Sequence, residues 1–237
     1  MIGLVPGVAS FHLVREPPWR APVALARLGT DRLRLRGTPG LRFARLLGTG
    51  RGSSTALGAD PARTAVFGVW ESAAALAAFE AGWFGARLAR VRRRGGEAYA
   101  VHLALLSGHG RWAGRDVLAD LASGEPGGPV AVLTRARVHP AAWRRFRAVQ
   151  QAVADEVATA PGLLAVVGVG EAPVGLQATF SLWADAAAPG AFAYRRPAHG
   201  EVVRRTRDEH WYGEELFARF APVGSSGTWD GRDPLDG

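Results

Sequence analysis

The residues of this chain best suited to chemistry at neutral pH are its six histidines, because cysteine and lysine are both absent from its 237 residues. The absence of cysteine excludes thiolate nucleophiles, disulfides, Cys-ligated zinc, iron–sulfur clusters and thiolate-ligated haem. The absence of lysine excludes Schiff-base chemistry and a P-loop lysine. Any bound metal must therefore be held by His, Asp or Glu.

His199 differs from the other histidines in the residues around it. Pro197 is typical of a helix start, and Val202 and Val203, three and four residues on, place His199 on the sheet-facing side of that helix. A neutral imidazole that points inward beside the small Gly200 could ligate a metal ion or a haem. A capping or surface histidine stays open as the alternative.

Three polar residues alternate along one predicted strand, residues 175–183. Gln177, Thr179 and Ser181 share one face of this strand, and the residues between them, which share the other face, are apolar. We expect the apolar face to pack on helices and the polar face to line a cavity. A solvent-exposed polar face is the alternative.

Other kinds of site find little support in the sequence. It contains no Gly-x-Ser-x-Gly elbow and no His-Glu-x-x-His zinc motif. His12 and His102 lie in predicted strands among apolar neighbours, which favours a structural role. The net charge of +8 comes from arginines spread over several amphipathic segments, so we expect no nucleic-acid partner.

The elements that must position these candidates form two similar series. The hydrophobic pattern predicts strands at 7–14, 41–48, 64–71, 97–106, 130–138, 163–169, 175–183 and 214–223. It predicts helices at 21–35, 72–94, 140–159 and, interrupted, 185–212. We assign residues 1–110 to an N-terminal half, 111–128 to a connector and 129–237 to a C-terminal half. Each half then has the order β-α-β-β-α-β.

The two halves also resemble each other in sequence. Pro39–Leu41 recurs as Pro161–Leu163, Leu46–Gly50 recurs as Val166–Gly170 at an offset of 120, and Trp70 recurs as Trp183 at an offset of 113. Such matches favour duplication of a ferredoxin-like unit. We predict an α+β fold in which the sheets of the two units face each other in one intramolecular barrel, with helices outside and a cavity between the sheets.

The composition is that of a globular protein, with 48% apolar residues. No apolar run approaches the roughly 20 residues that a membrane-spanning helix needs. The N-terminus lacks a basic start followed by an apolar stretch and a cleavage site. We therefore expect a soluble, cytoplasmic protein with no integral membrane segment.

Seven short segments carry a resemblance to a known family. They are Arg45–Gly50, Gly110–Arg115, Val130–Ala136, Val167–Pro173, Phe180–Asp185, Ala198–Glu201 and Trp211–Phe220. The most specific of them is the block Glu-Glu-Leu-Phe-Ala-Arg-Phe at 214–220. Through these segments the chain resembles the spheroidene monooxygenase family of carotenoid-oxidising enzymes, over most of its length from about residue 40.

The resemblance implies a dimeric-type α+β barrel and an oxidoreductase that binds haem b. Such a monooxygenase would hydroxylate an apolar small molecule, such as a carotenoid or terpenoid, or form a ketone on it, with O2 and a ferredoxin-type electron donor. In related barrel haemoproteins the iron ligand is a helical histidine, which here is His199.

If haem binds in the cavity, other side chains become candidates for roles in such a site. Arg45 and Arg135 become candidates for binding the haem propionates. Gln177, Thr179 and Ser181 become catalytic candidates that help protonate bound oxygen.

Two other functions stay open on the same fold. A cofactor-free oxygenase of the antibiotic-biosynthesis type would use the barrel without His199 as a ligand. A non-enzymatic carrier would bind haem or another small molecule in the same cavity. The substrate, the electron donor and homo-oligomer formation are also left open by the sequence.

Overall fold

Eight antiparallel strands close into one barrel, with helices on its outer surface. The computed structural model describes residues 6–53, 58–171, 175–195 and 209–236. The strands are β1 (Val8–Arg15), β2 (Leu41–Gly50), β3 (Ala59–Trp70), β4 (Glu97–Gly110), β5 (Val130–Val138), β6 (Leu163–Gly170), β7 (Leu176–Trp183) and β8 (Tyr212–Gly227). The helices are α1 (Ala21–Arg36), α2 (Ala73–Ala81), α3 (Trp83–Arg93), α4 (Trp143–Ala158) and α5 (Ala187–Arg195).

The order of the strands shows how two units build the barrel. The first half contributes β4-β1-β3-β2 and the second half contributes β8-β5-β7-β6, each the strand order of a ferredoxin-like unit. The units meet where β2 pairs with β6 and where β4 pairs with β8. The predicted α+β fold of two ferredoxin-like units in one intramolecular barrel is therefore confirmed.

The strand register relates the two halves residue by residue. Trp70 at the end of β3 lies opposite Leu41 at the start of β2. Trp183 at the end of β7 lies opposite Leu163 at the start of β6. The recurrence of these residues in the sequence thus corresponds to equivalent places in the two sheets.

One expected correspondence is wrong by two residues. Gly48 on β2 pairs with Thr64 on β3, and Gly170 on β6 pairs with Gln177 on β7. Thr64 and Gln177 are equivalent residues, since both lie six residues before the tryptophan that ends their strand. Gly48 therefore corresponds to Gly170, whereas the sequence match had paired it with Gly168. The two glycines also lie opposite each other where the halves meet, because β2 and β6 are related by the same internal symmetry.

In each half, a glutamate binds the turn that follows the last strand of the other half. Glu214 on β8 accepts hydrogen bonds from two backbone N–H groups of the turn after Trp112, at 3.0 and 2.6 Å. Glu97 on β4 accepts hydrogen bonds from two N–H groups of the turn after Trp229, at 3.1 and 2.6 Å. Both indole rings are buried in the barrel interior, where they belong to one hydrophobic cluster.

The barrel interior is filled with side chains, which corrects the predicted orientation of β7. Phe180 points inward and stacks on Phe11 of β1, with ring centroids 3.9 Å apart. Gln177, Thr179 and Ser181 instead face α4 and α5. The interior of an eight-stranded barrel is only wide enough for side chains to fill it, so the apolar face of the strand is buried there.

The predicted helix 72–94 is divided into α2 and α3. Ser72 caps α2 as expected, since its hydroxyl oxygen accepts a hydrogen bond from the N–H of Ala75 at 3.2 Å. Gly82 then interrupts the helix with a ψ angle of −144°. Of the predicted helix 185–212, the part that the structure describes as helical is α5. In the described parts of the chain, no helix combines the length and apolarity needed to cross a membrane.

Candidate active site

A cavity of about 230 Å³ lies between the outer face of the second-half sheet and the helices α4 and α5. Its walls are mainly apolar, and large side chains from three elements define them: Phe146, Val149 and Val153 from α4, Phe192 from α5, and Val132 and Trp183 from the sheet. This volume is below the range of about 300–1,000 Å³ that is usual for pockets that take small molecules. The cavity lies outside the barrel, whereas the sequence predicted a cavity between the two sheets.

Several polar atoms at the cavity have no hydrogen-bond partner among the described residues. Gln177 is 5% exposed, and both its amide oxygen and its amide nitrogen are buried without a partner. The same holds for Nε of Arg219 and for Oε1 of Gln150. An unsatisfied buried polar group costs about 1–3 kcal/mol. Water or a bound ligand must supply the partners of these atoms.

The three polar residues predicted on β7 all line this cavity. Ser181 accepts a hydrogen bond from the indole N–H of Trp183 at 2.9 Å, which leaves its own O–H free to donate into the cavity. Thr179 is half-buried, with its side chain on the same wall. The predicted polar wall is thus present, although helices rather than the opposite sheet cover it.

The predicted ligand His199 lies in 196–208, outside the described residues. The last residue of α5 is Arg195, and the next described segment begins at residue 209. Phe192, which precedes residues 196–208, and Tyr212, which follows them, both line the cavity.

Arg45 and Arg135 come together, but not at the cavity. Both pair with Glu171: Nε of Arg45 lies 2.7 Å from Oε2, and a terminal nitrogen of Arg135 lies 3.2 Å from Oε1. Arg135 also pairs with Glu214. The indole N–H of Trp112 donates to Glu171 at 2.8 Å. Arg45 and Arg135 therefore have carboxylate partners within the protein, and their expected role in binding propionates stays a prediction.

The equivalent space in the first half is occupied by protein side chains. Phe84 packs edge-on against the buried ring of His12, with centroids 5.1 Å apart. Nε2 of His12 and Nε2 of His102 both donate to the carboxylate of Glu80, at 2.8 Å and at 2.9–3.0 Å. Both histidines are thus hydrogen-bonded within the protein, as the structural role expected of them requires.

The protonation of this trio follows from burial and hydrogen bonding. Burial lowers the pKa of His12. Burial alone would raise the pKa of Glu80, but the hydrogen bonds from His102 and His12 outweigh it and lower the pKa to about 2. Glu80 is thus an anion at neutral pH. Within the described segments, no group of three or more His, Cys, Asp or Glu side chains is arranged to hold a metal ion.

Sequence reasoning missed two residues of the cavity, Arg219 and Gln150. Arg219 belongs to the block at 214–220, where it and Phe217 both lie on the outer face of β8. Because residues two apart on a strand share a face, the position of Phe217 could have placed Arg219 on the outer face as well. Gln150 lies among apolar residues of α4 that face the sheet, and a helical pattern could have placed it there.

The comparisons with known proteins agree with this architecture. No protein-family model matches the chain. Two solved structures of aldoxime dehydratase, one in complex with butyraldoxime, superpose on the whole chain with TM-scores of 0.62 and 0.59. The superposed part amounts to 82% and 88% of those two proteins, at 10% sequence identity, so the similarity establishes a shared fold.

Similarity in sequence to curated proteins is much stronger. The chain is 32% identical over 238 residues to spheroidene monooxygenase of Rhodobacter capsulatus, which covers 96% of this chain and 95% of that protein. It is 37% identical over 199 residues to spheroidene monooxygenase of Rubrivivax gelatinosus, covering 83% of this chain and 74% of that protein. With matches that run along nearly its whole length, the chain belongs to the spheroidene monooxygenase family.

Proposed function

We propose that this chain is a haem-dependent monooxygenase that hydroxylates a carotenoid or a similarly apolar terpenoid, or forms a ketone on it, in the cavity between β5, β7, β8 and α4. The observation that carries the proposal is a mainly apolar cavity at which Gln150, Gln177 and Arg219 have buried polar atoms without a hydrogen-bond partner in the described structure. The names of the curated relatives support monooxygenation and a carotenoid substrate.

Two kinds of side chain in the cavity lining would suit haem. Flat apolar walls such as Phe192 and Trp183 suit the macrocycle, and the guanidinium of Arg219 suits a carboxylate. We propose His199 as the protein ligand of the iron, on the sequence pattern given above. Haem b, when bound, supplies the activation of O2 with electrons from a ferredoxin-type donor.

The residues of the chain then have three tasks. The side chains of α4 and α5 exclude water and hold the substrate C–H in an apolar environment. Ser181 and Thr179 offer hydroxyl donors to an oxygen atom within the cavity. Gln177 offers a donor and an acceptor from one buried amide, so it can bind a newly formed hydroxyl or ketone oxygen.

An absorption spectrum tests the cofactor, and labelled oxygen tests the reaction. The purified protein reconstituted with haem should show a Soret band, which His199→Ala removes and His210→Ala leaves unchanged. Loss of the band in His210→Ala alone would assign the ligand to His210. A wild-type protein that forms product without a Soret band would instead be a cofactor-free oxygenase.

The reaction itself is tested by incubating the haem-loaded protein with carotenoid, a reductase and ferredoxin under ¹⁸O2. We expect one labelled oxygen atom in the product. Full haem loading without labelled product, with several carotenoids and terpenoids, would favour a carrier and contradict the proposal.

A further inference from the structure

Arg219 and His102 occupy equivalent places in the two halves. On β1, Val8 lies opposite Trp70, and Ser10 follows two residues later. On β5, Val130 lies opposite Trp183, and Val132 follows two residues later. His102 lies opposite Ser10, and Arg219 lies opposite Val132. Each half thus places one basic side chain at the same point between its sheet and its helices.

In the first half, this basic side chain has an acidic partner from the helix. Glu80 on α2 accepts hydrogen bonds from His102, and its pKa of about 2 keeps it ionised. In this half the protein itself therefore supplies an anion between the sheet and the helix.

The second half lacks the corresponding carboxylate. Phe79 on α2 and Phe192 on α5 each pack against the tryptophan at the strand end of their own half, which makes the two helices equivalent. The residue after Phe79 is Glu80, but the residue after Phe192 is Ala193. An alanine in the sequence at this place provides no anion.

Arg219 remains without a carboxylate partner in the described structure. Its Nε is buried at the cavity and makes no hydrogen bond there. One terminal nitrogen lies 4.0 Å from the point where a Cβ on Gly190 would be, so the guanidinium reaches α5 beside a residue that has no side chain. An arginine presents its donors in a planar fork that matches a carboxylate.

We propose that Arg219 binds a carboxylate of the bound haem, which thereby takes the place that Glu80 holds in the first half. This inference rests on the proposed function, because it assumes that haem occupies the cavity. Arg45 and Arg135 already pair with Glu171 and Glu214, whereas Arg219 has no carboxylate partner among the described residues.

The test compares haem with its dimethyl ester, in which both propionates are masked. Wild-type protein should bind haem about tenfold or more tightly than the ester, the effect expected of a hydrogen bond to a charged group. Arg219→Gln should bind the two ligands about equally, with its main loss on the haem side. Arg219→Lys, which keeps the charge, should recover part of the preference.

Two controls keep the experiment decisive. Arg144→Gln changes an exposed arginine on α4 and should leave the preference for haem as in the wild type. Thermal unfolding of each apoprotein verifies that Arg219→Gln is folded. An unchanged preference for haem over its ester in folded Arg219→Gln overturns the inference but leaves the proposed cofactor in place. Failure of the wild type to bind either ligand overturns both.

A carboxylate could also come from the substrate, and a second arm separates this source. Dodecanoate and dodecanol are titrated into apoprotein, with binding followed by tryptophan fluorescence. If Arg219→Gln weakens dodecanoate binding alone while the preference for haem over its ester is unchanged, the partner is a substrate carboxylate and the proposal is wrong. Loss of the haem preference supports it.

Discussion

Arg45 of the first half and Arg135 of the second half share one carboxylate, that of Glu171. The guanidinium of Arg135 is also within cation–π distance of the buried indole of Trp112, at 5.6 Å from the ring centroid. Arg135 is 2% exposed, so its charge depends on Glu171 and Glu214 for compensation. The ion pairs therefore join the two halves at one end of the barrel.

Removing the shared charge should destabilise the whole barrel. We expect Glu171→Gln to lower the free energy of unfolding by about 3 kcal/mol, because it leaves a buried arginine with one anion fewer. Urea unfolding followed by circular dichroism measures the loss. Arg145→Gln is the matched control, since it breaks an exposed pair with Glu209 and should change stability by less than about 1 kcal/mol. Equal effects of the two changes would contradict the prediction.

The carboxylate of Glu80 should make stability depend on pH in the acid range. Its pKa of about 2 in the folded state lies below the ordinary value of 4.5. Its contribution is therefore complete above about pH 5 and is lost as the pH falls toward 2. We expect Glu80→Gln to cost about 2 kcal/mol at pH 7, after allowance for the partial exposure of the carboxylate, and much less at pH 2.5. A difference that does not shrink with falling pH would rule this out.

Filling the cavity should block binding without unfolding the protein. Val153 on α4 lines the cavity and is half-buried, so Val153→Trp should abolish haem binding in a titration monitored by the Soret band. Ala148→Trp places the same side chain on the exposed face of the same helix and should bind haem normally. Normal haem binding by Val153→Trp would show that the cofactor site lies elsewhere.

Glycine is required at the end of β4 for two separate reasons. Gly110 has a φ angle of 98°, and a Cβ there would lie 2.1 Å from the backbone oxygen of Glu215. Gly114 has a φ angle of 74° but open space around it. We expect Gly114→Ala to cost about 1–2 kcal/mol and Gly110→Ala at least about 3 kcal/mol, both measured by urea unfolding. The difference reports the clash with the neighbouring strand, and equal costs would contradict it.

Alternation along the strands was enough to predict which residues share a face. It grouped Gln177, Thr179 and Ser181 correctly but could not tell which side of the sheet they face. Both sides of each strand are covered in this barrel, by helices on one side and by the opposite strands on the other, so hydrophobicity alone does not distinguish them. The side was decided by Phe180, whose ring meets Phe11 from a distant part of the chain.

The sequence pattern also could not predict which charged residues, far apart along the chain, form ion pairs. Arg135 looks like a free cation in an apolar strand, yet its partners are 36 and 79 positions away along the chain. Arg219 looks much the same, and the register shows that its counterpart His102 has a carboxylate partner, whereas Arg219 has none among the residues that the structure describes. The local pattern reports the type of residue, whereas the barrel closure determines its neighbours.

The fusion of two units into one chain has a consequence for how such a pocket can evolve. When two identical subunits form a barrel, every substitution appears twice, so a change that closes one interlayer space closes both. Here the two halves lie in one chain, so each half can vary independently. In the first half, Phe84 and the Glu80 trio fill the space between sheet and helices. In the second half that space is a cavity, so substitutions in its walls can change its shape without altering the first half.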